Sequence, residues 1–456
     1  MKLEKQKMHA KNPDKATPYR RLGLAGLLLA FTLPLQAETP DVQSLDYPLT
    51  LPGNELPLDE LRSFAEVYER IKQAYVHEVD DKTLLENAIR GMLSGLDPHS
   101  DYLEPEAFKE LRESTQGEFG GLGIEIGIED GYIRVISPID DTPASRAGIQ
   151  PLDLIIRING TSTRELSIDR AIEMMRGEPG TDITLTILRE ASGQPFEVEL
   201  TRDLIRTASV RQELLEKDYG YLRISQFQTR SGEETLQALE TLRENNEGDL
   251  QGLVLDLRNN PGGVLQAAAD VSDVFLDSGL IVYTEGRLPD TEMRFDASPG
   301  DALQGTPIVV LINSGSASAS EILAGALQDH RRALIMGTPS FGKGSVQTVL
   351  PLYNDRALKM TTALYYTPKG RSIQADGIHP DIEVINARIT PVSERSTPRE
   401  ADLEGHLQGQ QKQPENTSES KLTSPDDYAV NEALNLLKGL NIFSETNRKG
   451  SPQAAE

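Results

Sequence analysis

The alternation of apolar runs with helical patterns between residues 221 and 386 constrains the fold of this 456-residue chain more than any other feature. Strands are predicted at 221–224, 252–257, 280–283, 308–312 and 333–336. Helices are predicted between them, at 233–245, 264–275 and 320–328. Such alternation favours a largely parallel or mixed sheet with crossover helices. Further strands are predicted at 345–352 and 358–366, so this segment is expected to be an α/β core.

Two segments with different patterns precede this core. Residues 58–95 show the apolar spacing of two amphipathic helices that meet near Asp80, and a third short helix is predicted at 105–112. Residues 120–203 instead alternate short strands with turns and contain two helical pieces, which indicates a module of about 85 residues. The predicted fold class is therefore α/β multidomain. It comprises an N-terminal helical region, a β-rich domain with two helices, and an α/β core with a mixed sheet.

Both ends of the chain have biased compositions. Residues 1–21 carry seven Lys/Arg and two acidic residues, residues 22–33 are apolar and uncharged, and small Ala37 follows. This pattern predicts a signal peptide at 1–37 and export to the periplasm. The alternative is a retained N-terminal anchor that leaves the protein membrane-associated, although the apolar run is shorter than the ~20 residues of a spanning helix. Residues 387–424 are polar and are predicted to be a disordered linker. Residues 425–456 are predicted to form a helix and tail that dock on the chain's own core or on a second subunit.

Composition narrows the possible chemistry and partners. The chain has no cysteine, which excludes a lipoprotein anchor, disulfides and a thiol nucleophile. Its formal net charge is −25, and removal of the basic leader would make it more acidic. Such a charge repels nucleic acid and anionic membrane surfaces. Protein or peptide partners are therefore expected.

A run of small residues at 313–321, Asn-Ser-Gly-Ser-Ala-Ser-Ala-Ser-Glu, joins a predicted strand directly to a predicted helix. Such a turn can expose a serine hydroxyl beside the free N–H groups of the helix start. The run therefore predicts a nucleophile, which the residues alone leave open among Ser316, Ser318 and Ser320. The alternative is that these serines only cap the helix.

Lys343, between Gly342 and Gly344, is the candidate general base. A lysine base must be neutral and therefore buried, whereas a lysine in an ordinary surface turn would stay charged. His99 and His379 are the histidine alternatives. Gln347 falls on the same face as Lys343 in an extended segment, but ~13 Å away, so the glycines would have to fold the chain for the two to touch.

An oxyanion site can also be predicted. The Ala319 N–H follows the middle serine of the run, and the turn Asn-Asn-Pro-Gly-Gly at 259–263 ends an apolar strand and opens a helix. Glycine turns expose backbone N–H groups that stabilise an oxyanion. Gly262 and Gly263 are the candidate donors, and the alternative is a tight strand–helix connection without a catalytic role.

Several motifs together match a known family. They are Phe-Ala-Glu-Val-Tyr at 64–68, Leu-Asp-Pro-His-Ser at 96–100, Leu-Asp-Leu-Arg-Asn-Asn-Pro-Gly-Gly at 255–263, Ser-Ala-Ser-Ala-Ser-Glu at 316–321, Gly-Lys-Gly-Ser-Val-Gln at 342–347, and Gly-Arg-Ser-Ile-Gln at 370–374. In these motifs the chain resembles the carboxy-terminal processing proteases, the tail-specific Ser/Lys peptidases with an inserted PDZ domain. The resemblance extends from about residue 61 to residue 383.

The resemblance implies roles for individual residues. It places the nucleophile on Ser318, the general base on Lys343 and the residue that orients the lysine on Gln347, and it implies a serine endopeptidase that needs no metal or cofactor. The oxyanion donors fall on Gly262, Gly263 and Ala319. The implied domains are an N-terminal helical region at 38–115, a PDZ domain at 116–204, and a protease core at 205–386 that includes part of the N-terminal region.

The PDZ resemblance implies how substrates are selected. The loop Gly121, Leu122, Gly123 and Ile124 fits a carboxylate-binding loop, in which N–H groups capture a peptide C-terminus. A phosphate loop is disfavoured because a strand follows, and Leu152 stands where the family usually has glycine. The resemblance further implies substrates with apolar C-termini, gating of the site by the PDZ domain, a homo-oligomer and a helical-repeat adaptor lipoprotein. The alternative function is a non-catalytic PDZ scaffold that binds peptides.

Overall fold

A computed structural model describes residues 56–129, 131–164, 166–189, 193–385, 387 and 427–450 of the chain. The predicted signal peptide lies outside these residues, as does the predicted linker apart from its first position. The chain divides into two compact units, Met1–Glu78 and Val79–Glu456. In its described part, the first unit contains helix α1 (Leu58–Ala74), with Asp59 and Glu60 in its first turn and Lys72 in its last. These charges complement the helix dipole.

The second unit begins with a helical region. It contains helix α2 (Asp81–Ser94), strand β1 (Asp101–Leu103) and helix α3 (Pro105–Gln116). The Asp80 side chain accepts the Thr83 N–H and so caps α2. Proline opens α3, where its missing N–H costs little, and Gly117 ends it with a φ of 72°. The three predicted N-terminal helices, counting α1, are therefore all present.

A β-rich domain follows. Its strands are β2 (Glu118–Gly121), β3 (Ile124–Glu129), β4 (Tyr132–Pro138), β5 (Leu154–Ile158), β6 (Thr161–Ser162), β7 (Asp182–Leu188), β8 (Pro195–Thr201) and β9 (Asp203–Arg206). Its helices are α4 (Pro143–Arg146) and α5 (Ile168–Met175). The main sheet has the order β3-β4-β5-β7-β8, and β2 pairs with β9 at the domain's base. The outermost position of β3 leaves one strand edge unpaired within this sheet.

The remaining elements form the α/β core. Its strands are β10 (Val210–Glu216), β11 (Tyr219–Ile224), β12 (Gly252–Asp256), β13 (Gly279–Gly286), β14 (Arg294–Ala297), β15 (Ile308–Ile312), β16 (Leu334–Gly337), β17 (Ser345–Pro351), β18 (Ala357–Tyr366) and β19 (Ile382–Glu383). Its helices are α6 (Ser231–Asn246), α7 (Leu265–Phe275), α8 (Ala319–Asp329) and, at the C-terminal end, α9 (Tyr428–Gly450). A 3₁₀ turn (Pro289–Thr291) connects β13 to β14.

Two sheets build this core. One has the order β10-β11-β12-β15-β16-β19 and is parallel except where β10 meets β11, so it is the mixed sheet that the alternation predicts. The other contains β1, β18, β13 and β14, with β17 paired to β18. The strand predicted at 280–283 lies in this second sheet rather than the first. There β13 runs antiparallel to β18, and the rings of Tyr283 and Tyr366 stack at 5.1 Å.

Helix α9 covers one face of the mixed sheet. Its buried Ala433 and Leu437 pack with Val254, Val309 and Leu311, whereas α6, α7 and α8 pack with the opposite face. Alternate residues of a strand point to opposite faces, so a strand buried on both sides reads as a continuous apolar run. Of the two predicted docking sites for the C-terminal helix, the structure shows the chain's own core.

Candidate active site

Ser318 lies at the turn between β15 and α8. Its backbone adopts φ 56° and ψ −114°, an unusual conformation for a non-glycine residue of the kind often found at functional sites. The other two candidate serines are buried and hold the turn in place. The Ser316 hydroxyl donates to Leu257 O at 2.8 Å, and the Ser320 hydroxyl donates to Asn260 O at 3.0 Å. Ser318 is half-buried and lines an adjacent cleft.

The cleft has a volume of about 380 Å³. Its walls come from α3, the glycine turn before α7, the start of α8, and strands β17 and β18. It brings together five of the predicted site residues, namely Ser318, Lys343, Gln347, Gly263 and Ala319. Apolar side chains form much of the remaining wall, including those of Leu111, Val264, Leu265, Ile322, Val346 and Val349.

Lys343 is half-buried in this cleft. Burial lowers its pKa below the ordinary 10.5, and the positive charge of Lys359 lowers it further, while Asp97 and Glu321 act in the opposite direction. A lowered pKa increases the neutral fraction that a lysine base needs. Lys359 also lines the cleft and was not singled out from the sequence, because nothing in its local pattern distinguishes it from a solvent-facing strand lysine.

Lys343 and Gln347 line one cleft, although the chain is extended from Ser345 onward in β17. Gly342 has a φ of 89°, and a bulge interrupts the β17–β18 pairing between Val346 and Gln347. Among the described residues, no hydrogen bond joins the Lys343 amine to Ser318 or to Gln347. Catalytic hydrogen bonds in a free enzyme are often long and tighten only when substrate binds.

Glu321, on the first turn of α8, connects the backbone of Ser318 to the segment that carries Lys343. Its buried carboxylate accepts the N–H groups of Ser318 at 2.7 Å, Gly342 at 2.7 Å and Lys343 at 2.9 Å, and the Ser340 hydroxyl at 2.6 Å. These charge-assisted bonds hold the two segments at a fixed separation. The sequence showed this glutamate only as the last residue of the serine motif.

Tyr365 closes the floor of the cleft. Its ring is buried, and its hydroxyl donates to the Lys343 backbone oxygen. Burial, followed by the charge of Glu321, raises the pKa of Tyr365 well above its usual value, although Ser318 approaches the same hydroxyl and acts in the opposite direction. The tyrosine therefore stays protonated and acts as a donor rather than as a base.

Two backbone N–H groups beside Ser318 are available to an oxyanion. The N–H groups of Ala319 and Gly263 make no hydrogen bond within the described residues, and both residues line the cleft. The Gly262 N–H instead donates to Asn260 Oδ1 at 2.9 Å. A Cβ on Gly262 would lie 2.8 Å from the Ser318 Cβ, so glycine there permits the close approach of the two turns.

The histidine alternatives lie outside the cleft lining. His379 is exposed, and its ring contacts Asp376 at 3.3 Å. His99 is half-buried nearer the site, where burial and then the positive charge of Lys343 lower its pKa. His99 is thus electrostatically coupled to Lys343, but the cleft that contains Ser318 is lined by lysine and not by either histidine.

The β-rich domain has a groove of about 280 Å³ between β3 and α5. Gly121, Leu122, Gly123 and Ile124 form one end of it. Leu122 O and Gly123 O accept backbone N–H groups from the segment around α4, whereas the N–H groups of Leu122 and Gly123 have no acceptor in the described part of the chain. Leu152 has a φ of 75°, the left-handed conformation that favours glycine, and its side chain is exposed. The turn therefore forms with leucine in this position.

Helix α3 contacts both the groove's domain and the cleft. Leu111 and Ser114 line the cleft. Glu113 pairs with Arg176 of the groove at 3.1 Å, and the Arg176 guanidinium lies 4.7 Å from the centre of the Phe119 ring. One helix therefore connects the end of this groove to the wall of the cleft that contains Ser318.

No helix in the described ranges is long and apolar enough to cross a membrane. In that same part of the chain, no group of three or more His, Cys, Asp or Glu side chains is arranged to hold a metal ion.

Family models match three consecutive parts of the chain. The model described as Peptidase family S41 matches residues 218–384, the PDZ domain model matches 110–188, and the model of the activating protease CtpB N-terminal domain matches 35–107. These matches coincide with the core, the β-rich domain and the N-terminal region, in the order that the sequence motifs predict.

Curated relatives match most of the chain. A carboxy-terminal-processing protease of Bartonella bacilliformis is 45% identical over 425 residues, covering 91% of this chain and 95% of the relative. A carboxyl-terminal-processing protease of a Synechocystis species is 40% identical over 327 residues, covering 70% and 75%. Among solved structures, a photosystem II D1 C-terminal processing protease is 30% identical, with coverage of 71% and 87% and a TM-score of 0.42. The chain therefore belongs to the carboxy-terminal processing proteases, serine peptidases of family S41 with a PDZ domain.

Proposed function

We propose that this protein is an exported serine endopeptidase that cleaves proteins near their C-termini with Ser318 as nucleophile and Lys343 as general base. The observation that carries the proposal is one cleft that contains Ser318, a lysine with a lowered pKa, and two backbone N–H groups that have no acceptor among the described residues. Gln347, on the wall of the same cleft, orients the lysine.

The mechanism follows from these groups. Neutral Lys343 accepts the Ser318 hydroxyl proton as Oγ bonds to the scissile carbonyl carbon. The N–H groups of Gly263 and Ala319 stabilise the oxyanion. Lys343 then gives its proton to the departing amine as the C–N bond breaks. Water attacks the acyl-enzyme with Lys343 again as base, and the proton returns to Ser318.

In this proposal, the PDZ domain binds the substrate C-terminus and gates the catalytic cleft. The free edge of β3 can accept a peptide as an added strand, and the N–H groups of Leu122 and Gly123 can bind its carboxylate. The contact from Arg176 to Glu113 offers a route from groove to cleft through α3. Peptide binding that moves α3 would realign Lys343 with Gln347.

The location and partners of the protein form part of the same proposal. The basic and then apolar pattern of residues 1–37 supports export to the periplasm, with a retained anchor as the alternative. The family resemblance supports homo-oligomers built through terminal helices and a helical-repeat adaptor lipoprotein. The apolar lining of the groove supports substrates with apolar C-termini.

The test compares the full chain with its Ser318→Ala, Lys343→Ala and His99→Ala variants on a protein substrate with an apolar tail. We expect the first two to reduce kcat/KM at least about a thousand-fold, as losses of a catalytic nucleophile or base do. His99→Ala should keep most activity. A C-terminally amidated form of the substrate, which lacks the carboxylate, should be cleaved more slowly.

Each alternative predicts a different result. Unchanged cleavage by Lys343→Ala would overturn the lysine base, and loss of activity in His99→Ala beside an active Lys343→Ala would favour a histidine base. A wild-type chain that binds the tail peptide tightly but cleaves nothing would favour the scaffold function.

A further inference from the structure

The carboxamide of Gln347 is held by two hydroxyl groups. Its Nε2 donates to Ser345 Oγ at 3.0 Å and to Thr361 Oγ1 at 3.2 Å. Thr361 lies directly opposite Gln347 in the register of β17 and β18, so the two side chains share one face of the sheet. Among the described residues, the Gln347 amide oxygen has no hydrogen-bond donor.

The Thr361 hydroxyl also contacts a carboxylate from a distant part of the chain. Its Oγ1 lies 3.1 Å from Asp97 Oδ1, in the turn between α2 and β1. The same carboxylate accepts the N–H groups of His99 and Ser100 and the Ser100 hydroxyl, and Ser100 Oγ accepts the Thr361 N–H at 3.2 Å. The Leu-Asp-Pro-His-Ser motif thus reaches the second sheet beside the catalytic cleft.

The direction of these hydrogen bonds follows from the chemistry of the groups. An ionised carboxylate can only accept, so Thr361 must donate its single hydroxyl proton to Asp97. Only the lone pairs of Thr361 Oγ1 then remain, and these can only accept from Gln347. The NH₂ group of Gln347 must therefore face Thr361, which leaves the amide oxygen as the group that Gln347 can offer elsewhere.

Asp97 has the charge state that this reasoning requires. Burial alone would raise its pKa, but hydrogen bonds from the Ser100 hydroxyl, the His99 N–H and the Thr361 hydroxyl outweigh burial and lower the pKa below 3.8. The carboxylate is therefore ionised at neutral pH.

We propose that Asp97 and Thr361 are positioning residues that fix the orientation of the Gln347 carboxamide, so that its oxygen and not its NH₂ group is presented to Lys343. A lysine amine carries donors that need an acceptor if its lone pair is to point toward Ser318. A flipped carboxamide would instead place its NH₂ group against the amine. This inference rests on the proposed function, in which Gln347 orients Lys343.

The first test uses two substitutions of Thr361 in the full chain. Thr361→Val keeps the side-chain shape but removes the hydroxyl, whereas Thr361→Ser keeps the hydroxyl and is the matched control. We expect Thr361→Val to lower kcat about tenfold or more, since misplacement of a catalytic group by ~1 Å can cost a hundredfold. KM for the apolar-tail substrate should stay nearly constant, and Thr361→Ser should restore most of kcat.

The second test asks whether Thr361 acts through Gln347. If it does, the double variant Thr361→Val/Gln347→Ala should be no slower than Gln347→Ala alone, because the single effects are then not additive. Asp97→Asn provides an independent variant should Thr361→Val fail to fold. Its amide can donate to Thr361 and free the carboxamide to flip. At high pH, where Lys343 is neutral in every variant, kcat should therefore fall in the wild-type background and not in Gln347→Ala.

The outcomes separate the inference from the function on which it rests. Full activity of Gln347→Ala would remove the role of Gln347 and the inference together. A slow Gln347→Ala beside a Thr361→Val with wild-type kcat would overturn the inference alone. Losses of kcat that multiply in the double variant would show a structural role instead. A Thr361→Ser variant that loses both kcat and thermal stability would show the same.

Discussion

At the scale of single residues, the cleft depends on a balance of charge around Lys343. Lys359 faces the lysine from β18, Asp97 and His99 face it from the turn before β1, and Glu321 faces it from α8. Burial and Lys359 favour the neutral amine, while the two carboxylates favour the ammonium. The cleft thus contains one cation that performs no chemistry in the proposed mechanism but that makes the base more available.

This balance predicts a pH effect for Lys359→Met. Activity should rise with pH as Lys343 loses its proton, because only the neutral amine can accept the Ser318 proton. Removal of the Lys359 charge raises the pKa of Lys343, so the rising limb of kcat/KM should move to higher pH. The loss of kcat/KM in Lys359→Met should be greatest at neutral pH and should vanish at high pH. Lys359→Arg keeps the charge and should leave the limb in place; a limb that does not move in Lys359→Met would contradict this role.

At the scale of elements, α9 is joined to the turn that carries Gly263, one of the two proposed oxyanion donors. Asp427, directly before α9, accepts from Arg258 at 3.0 and 2.8 Å, and Arg258 also binds the buried carboxylate of Asp256. Arg258 immediately precedes the turn with Gly262 and Gly263. The C-terminal segment therefore contributes a charge beside this turn, from Asp427, as well as the apolar face of α9 to the sheet.

Asp427→Asn should weaken the docking of α9. Burial alone would raise the pKa of Asp427, but the hydrogen bonds and charge of Arg258 lower it. The stability from this pair is therefore present above the unfolded-state pKa and is lost as pH falls through the lowered folded-state pKa. We expect the variant to lose about 1–3 kcal/mol at neutral pH, measured by urea unfolding, and to lose less in acid. Glu432→Gln is the control: it removes a charge on α9 that does not pair with Arg258, and it should change the free energy of unfolding little.

Prediction from sequence succeeded where an element is buried on both sides. Strand β15 is apolar throughout, and β12 is apolar from Leu253 to Leu255, because α9 covers one face and helices α6 to α8 cover the other. Such runs can be recognised without a structure. The short edge strands β14 and β19 have no such signal. Asp97 and Thr361 could not be paired from the sequence, because their contact spans 264 residues and depends on the register of β1, β17 and β18.

At the scale of the whole molecule, one helix contacts both the groove of the PDZ domain and the cleft that contains Ser318. The groove of the PDZ domain ends at Arg176, whose partner Glu113 lies on α3, and α3 also walls the cleft. A domain placed in this way can change the catalytic geometry without contributing a catalytic residue. Such coupling requires that the cleft adopt two arrangements and that the protein bind the peptide with different affinity in each.

We therefore expect a free tail peptide to accelerate cleavage of a short substrate that lacks an apolar C-terminus. A peptide with an apolar end and a free carboxylate should raise kcat several-fold, the scale of typical coupling free energies of about 1–3 kcal/mol. The same peptide with a C-terminal amide is the control and should have little effect, because it cannot satisfy the N–H groups of Leu122 and Gly123. Simple competition by the carboxylate peptide, with no acceleration at any concentration, would contradict the gating.

The carboxylate of Glu321 binds the backbone amide of Ser318 and also the amides of the segment that carries Lys343. The amide hydrogens of Gly342 and Lys343 are bound to the same group as that of Ser318, so they exchange with solvent only when that group releases them. We therefore expect a covalent adduct on Ser318 to slow deuterium uptake in residues 341–344, even though the adduct need not contact these residues. Mass spectrometry of that one peptide could then report occupancy of the active site in the intact protein, even for substrates whose turnover leaves no colour or fluorescence.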